Sequence, residues 1–76
     1  MRAPKRAGAL DRRIGARVRK LRRARGMAQA ELGKRLGVSF MQVQKYEGGV
    51  DRVSAARLFE IARVFGVEIG CFFDGM

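Results

Sequence analysis

In the stretch FMQVQK, Phe40, Met41, Gln44 and Lys45 recur at spacings of one and four residues, and their types suit recognition rather than reaction. A carboxamide donates and accepts at once, an ammonium donates, and Phe and Met offer apolar surface. The rest of the chain adds no reactive group. It has no His, a single Cys71, and seven carboxylates scattered without paired or metal-ligand spacing. That composition argues against a nucleophile–base pair and against a zinc site, so no catalysis, metal or cofactor is expected.

How those four side chains are presented depends on a helix from about residue 40 to 47. At about 100° per residue, turning Val43, Tyr46 and Glu47 inward points Met41 and Lys45 nearly opposite and puts Gln44 to their side. Gln42 then lies toward the flank. Phe40 sits at the boundary, either facing outward or folded back against the preceding helix as core. Ser39 offers this helix an N-cap and Gly48-Gly49 a stop.

Other helices must hold that one in place. Ile14, Val18 and Leu21 recur at i, i+4, i+7 after a candidate cap at Asp11 and before Gly26. Leu32 and Leu36 share a face of a second, two-turn helix with Glu31 in its first turn and Gly37 at its end. Ser54 caps a fourth helix in which Leu58, Ile61, Ala62 and Phe65 line one side up to Gly66. Val67, Ile69, Phe72 and Phe73 suggest a short fifth helix whose apolar residues either finish the core or are exposed for a partner. The expectation is an all-α, five-helix domain over residues 11–76, preceded by a disordered basic arm over residues 1–10. A chain of 76 residues makes one small domain and buries only about 60% of its unfolded surface, so its stability should be modest.

Charge is distributed unevenly. Residues 1–26 hold eleven Lys/Arg against Asp11 alone, whereas residues 27–76 hold six of each sign. A field confined to one segment favours a polyanionic partner, nucleic acid before an anionic membrane. No stretch is long and apolar enough for a signal peptide or a membrane span, and one cysteine closes no internal disulfide, which points to the cytoplasm.

The second and third helices and the glycine between them form a twenty-residue unit with the spacing of a tight helix-turn-helix. Counted from Gln29, the positions 4, 8, 10, 15 and 18 that pack the two helices are Leu32, Leu36, Val38, Val43 and Tyr46. The fifth position, which needs a small side chain, is Gly33, and the ninth, which needs a left-handed turn, is Gly37. From about Ile14 to Phe73, through "RKLRRARGMAQAELGKRLGVS", "VQKYEGG" and "LFEIARVFGV", the chain resembles the lambda and phage-434 repressor and Cro helix-turn-helix family of DNA-binding proteins. It departs from that pattern twice. Ala28 stands where Ser or Thr usually caps the second helix, a loss on the order of 1 kcal/mol, and Gly33 replaces the more usual alanine, roughly 0.5–1 kcal/mol more.

The resemblance implies a bacterial or phage transcriptional regulator, a repressor first, that places the third helix in the major groove of double-stranded DNA, as a homodimer on paired half-sites. Base reading would fall to Phe40, Met41, Gln44 and Lys45: Gln to adenine, Lys to guanine or phosphate, and Met or Phe to a thymine methyl. Gln29, the family's phosphate-contacting glutamine, Gln42 and Arg52 would bind the backbone, and the Arg2–Arg6 arm could track a groove. The family's helix-1 arginine and its glutamate at the end of the reading helix correspond to Arg22 and Glu47, a structural ion pair. Val67, Ile69, Phe72 and Phe73 would supply the dimer contact. The competing reading is an antitoxin-type module that sequesters a partner protein.

Overall fold

The computed structural model describes residues 8–75. Four α-helices, α1 (Ala9–Ala24), α2 (Gln29–Leu36), α3 (Phe40–Glu47) and α4 (Ala55–Phe65), are followed by a 3-10 turn, Ile69–Phe73. The described residues contain no strand.

Local chemistry explains most boundaries. The Ser39 hydroxyl accepts from the Gln42 amide and the Ser54 hydroxyl from the Arg57 amide, each at 3.1 Å, so α3 and α4 begin at side-chain caps. Gly37 and Gly66, at φ of 76° and 71°, end α2 and α4 in the left-handed conformation that a β-carbon disfavours. α1 starts earlier than the sequence suggests. Gly8 is its N-cap, and Asp11 is in the first turn, its carboxylate accepting from the Gly8 amide at 2.8 Å. Ala9 and Leu10 are therefore helical rather than part of an arm, while the arm's residues 1–7 lie outside the described residues.

The core joins all the elements. Val18, Leu32, Val43, Ile61 and Phe72 are fully buried, with Ile14, Leu36, Leu58, Ala62 and Phe65 packed around them. Phe72 therefore completes the monomer core, and Val67 is packed against it. Neither is free for the dimer contact expected of them, which leaves Ile69 and Phe73, both partly exposed. The expected fifth helix is a single 3-10 turn, Ile69–Phe73, and arginines of α1 tie it and the residues after it to the fold. Arg17 donates to the carbonyls of Cys71 and Asp74 at 2.8 and 3.0 Å, and Arg13 to that of Gly75 at 3.1 Å.

Arginines close other helix ends similarly. The last turn of an α-helix leaves carbonyls without intrahelical donors. Arg57 donates to Leu36 O at the end of α2, at 2.8 Å. Arg25 donates to Phe65 O at the end of α4, at 3.0 Å, with its guanidinium 5.2 Å from the centre of the Phe65 ring.

Candidate nucleic-acid interface

α3 is fixed from both sides by glycines. A β-carbon on Gly33 would lie 2.6 Å from the carbonyl oxygen of Val38, so α2 meets the turn before α3 with no room for a methyl group. Gly33 is thus required by the close approach, and the alanine more usual in the family would clash here. Gly15 lets α1 approach the Tyr46 and Glu47 carbonyls, and Gly49, at φ of 70°, tucks beneath Arg12. Gly15 was not among the positions marked by the apolar period. Its signal was a glycine inside a helix, where it is unfavourable by roughly 0.5–1 kcal/mol unless backbones must touch.

The inner end of α3 is anchored electrostatically. Arg22 Nε and Nη2 meet Glu47 Oε2 and Oε1 at 2.6 and 3.0 Å, a bidentate pair whose side chains are almost fully buried. Arg22 Nη1 also donates to Met27 O at 2.6 Å, and Gln29 Nε2 to Glu47 Oε1 at 3.1 Å. One carboxylate thus links α1, the start of α2 and the end of α3. Gln29 compensates in part for the missing side-chain cap at Ala28 by tying the first residue of α2 to Glu47. No buried polar side-chain atom among the described residues lacks a hydrogen-bond partner.

The outer side of α3 is bare. Phe40 and Met41 are 49% and 57% exposed, so Phe40 faces solvent instead of folding back against α2. Gln44 and Lys45 are exposed on the same side, whereas Val43 and Glu47 are buried and Tyr46 half-buried opposite them. The four outward residues form two columns at i, i+4: Phe40 with Gln44, and Met41 with Lys45.

The remaining expected contacts sit differently. Gln42 is half-buried and donates to Asp51 Oδ2 at 3.0 Å, so its amide is held by the loop after α3 and not extended from the flank. Arg52 in that loop is exposed, with Nε 3.5 Å from Asp11 Oδ2. On α2, Lys34 is exposed and Arg35 pairs with Glu31 at 3.3 Å.

Comparison with known proteins agrees with this architecture. The chain is 46% identical over 67 residues to a transcriptional regulator in the ATPase CF(0) region of Rhodospirillum rubrum, covering 88% of this chain and 62% of that protein. It is 47% identical over 70 residues to the HTH-type transcriptional regulator y4aM of Sinorhizobium fredii, covering 92% and 49%. The chain therefore spans less than two thirds of the length of either relative. In three dimensions it superposes on the restriction-modification controller protein C.AhdI from Aeromonas hydrophila with a TM-score of 0.81 and 29% identity, over 87% of this chain and all of that one. The helix-turn-helix family HTH_3 matches residues 18–70, from the middle of α1 into the 3-10 turn. With the glycine turn, the buried packing positions and the exposed face of α3 all falling inside that match, the chain belongs to the HTH_3 helix-turn-helix family.

Proposed function

We propose that this chain is the double-stranded-DNA-binding unit of a transcriptional regulator, a repressor that reads the major groove with α3 and works in the cytoplasm on the nucleoid. The observation that carries the reading is the contrast between the two sides of α3. Its inner side is locked by the Arg22–Glu47–Gln29 cluster, and its outer side presents Phe40, Met41, Gln44 and Lys45 to solvent. A rigid helix with unengaged amide, ammonium and apolar ends has what direct readout of base edges needs.

In this reading Gln44 pairs with adenine and Lys45 with guanine or a neighbouring phosphate. Arg52, in the loop after α3, and Gln29, at the start of α2, flank α3 and are assigned to phosphates, Gln29 through the amide proton that its bond to Glu47 leaves over. Gln42 has a smaller part than its position on the helix suggested. Held by Asp51, it reaches a phosphate through its second amide proton or by exchanging partners.

Paired half-sites call for a homodimer. Ile69 lines a groove of about 890 Å³ together with Phe59, Val64, Ala56 and Arg63, and Phe59 is 53% exposed. That groove and the exposed Phe73 are assigned to the dimer contact in place of Phe72 and Val67. The partner-sequestering alternative would use the same groove but leave the bare face of α3 without a purpose.

Selection of bound sequences from random duplexes tests the proposal. A defined preferred sequence that changes with Gln44→Ala or Lys45→Ala supports it. Binding with no preference among duplexes, or a preference untouched by either substitution, overturns the assignment of α3. If a dimer neutralises roughly eight phosphates, log affinity should fall with log salt at a slope of about −7.

A further inference from the structure

Two of the four outward residues at the start of α3 are large and apolar. Phe40 and Met41 are adjacent, about half exposed, and followed one turn later by Gln44 and Lys45. In the major groove, bases offer hydrogen-bonding edges almost everywhere, and the single apolar group is the methyl on pyrimidine C5. A highly basic domain, at +10 overall, is attracted to a polyanion, and the first residues of its reading helix are those that contact base edges. The projecting apolar group that Phe40 and Met41 would complement on the base edges there is such a methyl.

We propose that Phe40 and Met41 form a sensor for pyrimidine C5-methyl groups, so that binding depends on thymine methyls and responds to 5-methylcytosine at the same steps. This inference rests on the DNA-reading proposal above and extends it to a ligand chemistry, the 5-methylpyrimidine edge. The two columns add a positional constraint. Each apolar side chain lies four residues, about 6 Å along the helix axis, from a hydrogen-bonding one. With base pairs about 3.4 Å apart, the methyl-dependent steps fall within about two base pairs of those read by Gln44 and Lys45.

Cytosine and 5-methylcytosine share the same hydrogen-bonding groups, as do thymine and uracil, so each pair isolates the methyl. The test takes the duplex preferred by the intact protein and replaces each thymine with deoxyuridine, and each cytosine with 5-methylcytosine, one at a time. Removal of a methyl at a sensed step is expected to weaken binding about fourfold, the factor that follows from burying one such carbon, and, in a duplex with a cytosine–guanine pair placed at that step, 5-methylcytosine should bind more tightly than cytosine by a similar factor. Phe40→Ala and Met41→Ala should each abolish one of these differences while keeping the preferences set by Gln44 and Lys45. Both side chains are half exposed, so the variants should fold, which circular dichroism checks. Equal affinity for thymine and uracil duplexes at every step, or methyl effects unchanged in both variants, overturns the sensor while leaving the regulator reading intact. Absence of any preferred duplex overturns both.

Discussion

α1 and α3 use polar side chains in opposite ways. α1 and the residue after it carry eight of the basic residues, and four of these, Arg13, Arg17, Arg22 and Arg25, donate to carbonyls or to Glu47 inside the fold. α3 carries a single cation, Lys45, exposed beside Gln44 on a side that packs against nothing. The most basic helix is thus substantially structural, and the nearly neutral one presents the surface proposed for recognition. Density of charge attracts a polyanion at long range, and in the proposed function the residues that discriminate are those left unengaged after folding.

The largest effect that would break this comparison lies where the two helices meet. Glu47→Ala leaves Arg22 almost fully buried without its counter-charge, which should destabilise the fold by about 3–5 kcal/mol. Small domains have only about 5–15 kcal/mol in total, so urea denaturation should find the variant unfolded or nearly so. Replacing both partners with apolar residues, Arg22→Met with Glu47→Leu, should recover most of that loss. If Glu47→Ala unfolds at the same urea concentration as the parent, the pair is not what anchors α3.

Next in size are the glycines between helices. Gly33→Ala would gain roughly 0.5–1 kcal/mol of helix propensity, but its methyl would meet Val38 O, 2.6 Å from the new carbon. Overpacking typically costs about 1–3 kcal/mol, so the net effect should be destabilising. A raised denaturation midpoint would show that α2 shifts freely against the turn. A smaller loss is expected for Arg17→Lys. Lysine keeps the charge but lacks the planar fork that reaches the Cys71 and Asp74 carbonyls together, so stability should fall by about 1–2 kcal/mol while the DNA sequence preference stays unchanged.

These three sites also differ in how legible they are in the sequence. Leu32, Leu36, Val43 and the turn glycine Gly37 follow a periodicity and a backbone requirement, so the helix-turn-helix can be read from spacing alone. The inward face of α3 follows by angle, and Phe40 was ambiguous because it sits at the edge of that face. Arg17 had no comparable signature, since its acceptors are backbone carbonyls and every residue has one. The hint was compositional: thirteen of the seventeen basic residues are Arg, the side chain suited to bridging two acceptors. Gln42 and Asp51 meet across a loop, a contact no helical period encodes. The fifth element is a 3-10 turn of five residues, too short for an apolar period to separate it from a helix.

The smallest expected stability change makes the comparison sharpest. Gln44→Ala and Lys45→Ala remove exposed side chains from a helix whose cap, packing and ion pair all lie elsewhere. Stability should therefore move by no more than about 0.5 kcal/mol, with alanine's helix propensity tending to offset any lost contact. Discrimination at the bases they read should nevertheless fall by about 1–3 kcal/mol each. Arg17→Lys should give the reverse pattern, a loss of stability with preference intact. If the α3 variants lose stability and keep their preference, that surface packs against something in solution and the α3 assignment fails. If they behave as expected, folding and recognition are separable on a helix of only eight residues, because the inner half of its circumference sets its position and the outer half is free to vary.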